Sequence, residues 1–138
     1  MSPTYFCDRN LGRKFPLRLR QLGLTVELHD DHFSQEERDE IWIPQVSRKQ
    51  WIILTLDERI RFNKTEKEVL LAYRARVILL PNPKQQMPGW LVQVAQEFAN
   101  AQARITRFIN RTPPPFVARF RITEKKGKKR YHLKCLDL

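Results

Sequence analysis

The sequence predicts an α/β fold in which a mainly parallel sheet lies between two layers of helices. Three observations carry this. Strand-like and helix-periodic segments alternate as β-α-β-α-β-α-β over residues 4–80, the order that produces parallel strands through crossover helices. Trp51-Ile52-Ile53-Leu54-Thr55-Leu56 is an almost wholly apolar run, as expected of a strand covered on both faces. Two strand candidates end on an aspartate: Asp8 after Tyr5-Phe6-Cys7, and Asp57 after Leu54-Thr55-Leu56. Open α/β sheets place their ligand crevices at such carboxyl ends.

Taken in order, Thr4–Cys7 is the first strand. Leu11, Phe15, Leu19 and Leu22 follow at helical spacing, with Pro16 marking a late start or a kink and Gly23 a stop. Residues 24–28 form the second strand, which runs into the acidic loop His29-Asp30-Asp31-His32-Phe33. Ser34 with Glu37 three residues on resembles a capping box, so the second helix is expected to open there, interrupted by Pro44. After the third strand, residues 58–73 are again helix-periodic. Arg76–Leu80 is the fourth strand, closed by Pro81-Asn82-Pro83.

Beyond this break the apolar positions Trp90, Leu91, Val94, Phe98, Ile105, Phe108 and Ile109 predict a long helix over 88–112. Thr112-Pro113-Pro114-Pro115 is a stiff connector. Residues 116–122 and 131–136 alternate around Lys125-Lys126-Gly127-Lys128-Lys129, a β-hairpin signal. The length of 138 residues suits one domain: an α/β core over 1–87, the long helix, and a hairpin extension over 113–138.

Composition narrows the function classes. No run of about 18 apolar residues predicts a membrane span, and the first residues do not have the pattern of a secretory signal. Two cysteines, Cys7 and Cys135, make a disulfide framework improbable and lead to the expectation of a reduced, cytoplasmic setting. The net charge is +11, and residues 104–134 contribute eleven Lys or Arg against one acid, Glu124. A basic region so localised reads as a footprint for a polyanion or an acidic partner.

The chemistry-bearing residues are acids. In a parallel sheet Asp8 and Asp57 emerge at one edge, and Asp39 with Glu40 would open a helix at that edge. Several hard oxygen donors suit Mg²⁺ or Mn²⁺, which can polarise a phosphoryl oxygen and activate water. Each aspartate alone is also a plausible helix N-cap. His29 and His32 lack a distant Cys or His partner, which disfavours zinc. No Ser-His-Asp grouping and no Gly-rich phosphate loop stands out. Asn10, Arg59 and Arg61 are candidate phosphate contacts beside capping or solvated roles. Lys125, Lys126, Lys128, Lys129 and Arg130 would meet a phosphate backbone, and Tyr131 and Phe120 could stack on unpaired bases.

YFCDRNLGRKFPLRLRQLGLTVELHDDHF followed by DEIWIPQVSRKQWIILTLDERIR resembles the PIN-like domains of toxin–antitoxin ribonucleases. The VapC-type branch, whose first motif is a strand ending in Asp-x-Asn-Leu, is the nearest. The resemblance spans roughly residues 4–80. It implies a PIN-like α/β/α sandwich and a metal-dependent endoribonuclease that cleaves RNA through a metal-activated water, held in check by a cognate antitoxin. Asp8, Asp39 and Asp57 fall on the catalytic, metal-binding acids. Glu40 is a neighbour able to replace Asp39, and Asp30 or Asp31 could compensate for a fourth acid that has no clear counterpart. The alternative is a catalytically degenerate binding or regulatory module acting through the basic hairpin. A homodimer is left open.

Overall fold

The computed structural model describes residues 2–138. Six strands form one sheet in the order β2-β1-β3-β4-β5-β6: β1 (Thr4–Cys7), β2 (Thr25–Leu28), β3 (Ile52–Thr55), β4 (Arg76–Leu79), β5 (Phe116–Lys125) and β6 (Lys128–Cys135). β1 to β5 are parallel, and β6 returns antiparallel to β5. The helices are α1 (Lys14–Gln21), α2 (Asp39–Arg48), α3 (Lys64–Ala72), α4 (Trp90–Asn100) and α5 (Gln102–Arg111). No helix among the described residues is long and apolar enough to cross a membrane.

The period-two alternation of side chains divides each strand between two cores. Tyr5, Cys7, Ile52 and Leu54 face a core shared with Phe15 and Leu19 of α1, Phe98 of α4 and Ile105 and Phe108 of α5. Phe6, Ile53, Val77 and Leu79 face a second core with Trp42, Ile43 and Val46 of α2 and Leu70 of α3. This is the predicted three-layer sandwich, and it explains why β3 reads as an unbroken apolar run. Phe6 gathers Trp42, Phe33 and Trp51 around it, with ring centroids 5.1, 6.0 and 6.2 Å away.

Helix ends differ from the periodicity, each for a local reason. A 3-10 turn over Arg9–Leu11 precedes α1, so Pro16 sits in the first turn, where a missing N–H leaves no intrahelical bond unmade. α2 opens at Asp39 rather than Ser34. The Ser34 carbonyl only closes a turn with the Glu37 N–H, at 3.1 Å. α2 then continues through Pro44, which leaves the Glu40 carbonyl without its intrahelical donor. The stretch 58–73 divides into a 3-10 turn over Glu58–Arg61 and α3, because the Asn63 side chain accepts the Glu66 N–H at 3.1 Å and starts a new helix. The C-terminal helical stretch is divided at Ala101. Apolar spacing runs on through that break, and Ala101 is itself buried.

β5 is an inner strand of the sheet: Arg76–Leu79 pair with Phe116–Arg119. Phe116, Val117, Ala118 and Phe120 are buried, so the first half of β5 is core. Phe98, fully buried, makes edge contacts with Tyr5 at 5.1 Å and Phe120 at 5.5 Å, fastening α4 to both β1 and β5. Phe98→Ala is expected to cost about 3–5 kcal/mol of stability, read as a lowered urea midpoint with an unchanged m-value. A loss below about 1 kcal/mol would show that this contact does not hold α4 to the sheet.

Candidate metal centre

The carboxyl edge of β1 and β3 opens into a cleft of about 610 Å³ lined by residues from four segments: Asp8, Arg9 and Asn10; residues 36–40; Leu56, Asp57, Arg59 and Glu66; and Asn82. Seven of these are carboxylates against three arginines, so this is an acidic site in a basic protein.

Within it, one carboxylate oxygen each from Asp39, Asp57 and Glu66 lies within 4.8 Å of the others. Each is fixed by its place in the chain. Asp39 is the first residue of α2, and its Oδ1 accepts the indole N–H of buried Trp42 at 2.9 Å. Asp57 follows β3, and its Oδ1 accepts both the backbone N–H and the Nε–H of Arg59 at 3.0 Å. Glu66 lies in the first turn of α3, behind the Asn63 cap.

Asp8 lies in the same cleft, nearly buried, but outside that three-acid group. Its Oδ1 accepts the Arg9 N–H at 2.8 Å, and its Oδ2 accepts the Thr55 hydroxyl at 2.9 Å and the Asn10 amide at 3.3 Å. Burial pushes its carboxyl above the usual range, the Thr55 hydroxyl pulls it back, and the charge of Asp39 pushes it up.

Glu66 is under greater strain. Burial first, then a hydrogen bond with Asp39 and the charges of Asp39 and Asp57, push its carboxyl from 4.5 to about 8. Its Oε2 is buried without a hydrogen-bond partner. Three crowded acids, one with its carboxyl pushed up and a buried oxygen left unpartnered, fit a divalent cation. The donors are all carboxylate oxygens, which suit Mg²⁺, Mn²⁺ or Ca²⁺ rather than zinc.

Of the other residues singled out from sequence, Glu40 lines the cleft and pairs with Arg38 at 3.3 Å. Arg59 lines it as well. Asn10 is engaged in the scaffold: its amide also donates to Thr55 Oγ1 at 2.9 Å, and its Oδ1 accepts the Leu56 N–H at 3.3 Å. The structure does not bring Asp30 or Asp31 to the cleft. Both lie in a 3-10 turn after β2, an edge strand, with Asp30 turned to His29 Nδ1 at 3.3 Å. Arg61 also points elsewhere and donates to the Asp137 carbonyl at 3.0 Å. Lys125, Lys126, Lys128, Lys129 and Arg130 belong to the hairpin, outside the cleft. The acid that stands with Asp39 and Asp57 is Glu66, and the Asn63-x-x-Glu66 capping pattern was the signal for its place at a helix start.

The raised Glu66 carboxyl has a measurable consequence. In the folded chain it keeps its proton up to about pH 8, whereas unfolded it releases it near 4.5. Between these values the folded state binds more protons, so stability falls as pH rises. In EDTA, the thermal midpoint is expected to decline across this window, and Glu66→Gln is expected to flatten the decline. Parallel pH profiles for the two proteins would contradict the crowding.

A family model described as a PIN like domain matches residues 3–82, the segment that contributes every lining residue of the cleft. No curated protein and no solved structure matches the chain. The matched segment is more than half of the chain, and it carries β1 through β4 together with all the clustered acids: the chain belongs to the PIN-like domain family.

Proposed function

We propose that this protein is a metal-dependent endoribonuclease, the toxin of a toxin–antitoxin pair. The observation that carries the reading is the group of Asp39, Asp57 and Glu66, whose oxygens lie within 4.8 Å of one another beside Asp8. PIN-like domains are commonly nucleases, which supports the reaction class. Asp39, Asp57 and Glu66 would hold Mg²⁺ or Mn²⁺, with Asp8 as a fourth carboxylate at the cleft floor. When bound, such an ion supplies Lewis-acid polarisation of a phosphoryl oxygen and a more acidic water at neutral pH.

The chain's own residues do the positioning. The Thr55 hydroxyl, donating to Asp8 and accepting from Asn10 and from the Asp57 N–H at 3.1 Å, fixes two of the acids relative to each other. Arg9 and Arg59 stand in the cleft to meet phosphate charge. In-line hydrolysis would leave a 5′-phosphate and a 3′-hydroxyl. A cognate antitoxin, and an intracellular RNA as target, complete the proposal.

A second reading, a binding module that has lost catalysis, has two observations in its favour. Asp8 and Asp57 both serve as N-caps, and Asp8 stands outside the three-acid group.

Cleavage assays with Mg²⁺ or Mn²⁺ on tRNA, rRNA and mRNA separate the two. Asp57→Asn and Glu66→Gln are expected to abolish cleavage while leaving the far-ultraviolet spectrum unchanged. Thr55→Val, which only loosens the ligands' support, is expected to lower the rate by roughly 10–100-fold. Growth arrest on expression, relieved by Asp57→Asn, would support the toxin assignment. Equal cutting by wild type and Asp57→Asn, or no cutting of any of these RNAs, would sink the catalytic reading in favour of the binding module.

A further inference from the structure

β4 pairs with β5 only as far as Arg119, opposite Leu79, yet β5 runs on to Lys125. Residues 120–125 and their β6 partners therefore continue past the sheet's carboxyl edge as an arm. At ~3.4 Å per residue it is about 20 Å long. It rises from the edge that carries the acidic cleft.

The two faces of this arm differ. Ile122, Tyr131 and Leu133 pack on the core beneath α4, and Lys129 reaches Glu97 of α4 at 2.8 Å. Tyr131 stacks on buried Phe120 with rings 16° apart, so neither ring is presented to a base. Alternation turns the remaining side chains to the opposite side of the sheet, where α2 and α3 also lie. There Arg119 stands opposite Lys134, Arg121 opposite His132, Thr123 opposite Arg130, and Lys125 opposite Lys128.

Like charges directly opposite one another destabilise a hairpin. Among the described residues, only Arg119 of this ladder has a carboxylate partner, Glu58. Glu58 is the residue after Asp57, so the ladder's inner end abuts the cleft. A shallow depression of about 690 Å³ follows the same face, lined by Arg121, Thr123, Lys125, Arg130, His132 and Lys134 among others.

We infer that this face of the arm is a track for the phosphodiester backbone of a nucleic acid, leading it into the acidic cleft. The inference rests on the ribonuclease reading for its substrate and sharpens it. Arg121, Lys125, Lys128, Arg130 and Lys134 carry the contacts, whereas Lys129 braces the arm on α4. A ladder made mainly of charges, with Tyr131 and Phe120 turned away and the His132 ring held 2.9 Å from the Thr123 hydroxyl, grips the backbone and ignores base identity.

Binding is measured in EDTA, where cleavage is suspended, with labelled polyuridylate and polyadenylate strands over a range of salt. The Arg121→Gln/Arg130→Gln/Lys134→Gln variant is expected to lower the salt slope by about 2, at ~0.7 per phosphate contact on a single strand. A variant of equal charge loss placed elsewhere, Lys84→Gln/Arg104→Gln/Arg107→Gln, is expected to keep the wild-type slope, and the two RNAs to bind alike. Arg121→Gln alone, with a drop of about 0.7, serves should the triple variant unfold.

Equal losses from the two triple variants would overturn the track, as would a marked preference for one base. So would tighter, ladder-dependent binding of polyglutamate, which would mark the face as an acidic protein's docking site. Ladder-specific binding by a protein that cuts no RNA would defeat the nuclease reading and leave the track standing.

Discussion

The hydroxyl of Thr55 ties the candidate site to the sheet. It donates to Asp8 and accepts from the Asn10 amide and the Asp57 N–H, so one side chain joins the end of β1, the turn after it and the turn after β3. The Asp8 N–H donates to the Leu54 carbonyl at 3.0 Å, extending the β1–β3 ladder by one bond to the acid. Thr55 is fully buried. A hydroxyl removed from water costs free energy unless its hydrogen bonds are made. Here they are made by the residues that the cleft requires, so satisfying the core and ordering the site are the same event.

The Glu66 oxygens are arranged in the opposite sense. Thr55 relieves the charge on Asp8, whereas Glu66 has Asp39 and Asp57 as neighbours, and the charge of Arg59 offsets them only in small part. Arg59 neutralises Asp57 from outside, yet its side chain is 87% exposed, and an exposed ion pair contributes little. The three acids come from three separate helix starts. There the backbone N–H groups favour negative charge, and this lowers the cost of holding the carboxylates together. Local capping and convergence on a cation are therefore compatible uses of the same aspartates. Capping occupies one oxygen of Asp57 and leaves the other clear of the Arg59 bonds.

The layers, the strand order along the chain and the strand-end acids were legible because they rest on short-range periodicity: two residues in β1 and β3, three to four in α1 and α4. Glu66 was not legible, because the apolar positions of 58–73 read as one helix and placed it in the interior. Only the Asn63 cap, a single side-chain-to-backbone bond, shows that a new helix begins and that Glu66 stands at its mouth. Asp30 and Asp31 were candidates for the converse reason. Their strand ends on acids as β1 does, but nothing local reveals that β2 is the sheet edge, since strand order is a property of tertiary packing. The division at Ala101 left no mark either, as the buried positions keep one helical phase across it.

The same edge of the sheet carries both signs of charge, and the topology decides how they are separated. β1 and β3, central in the sheet, deliver acids to the cleft. β5 overshoots the edge and delivers the basic ladder at one flank, with the Arg119–Glu58 pair between them. A polyanion approaching the bare cleft would meet an excess of carboxylates over arginines and be repelled, and one approaching the arm would be attracted. On the proposed reading the cation offsets the charge of the clustered acids only when bound, so attraction at the arm and admission at the cleft are separate steps with separate salt dependences. The arm responds to monovalent salt through counterion release, whereas the cleft responds to divalent ion and to the proton on Glu66. Bringing the two together would defeat both: lysines among the acids would neutralise them and displace the cation. Six strands in this order keep them a fixed distance apart, and a strand six residues longer than its neighbour is enough to do it.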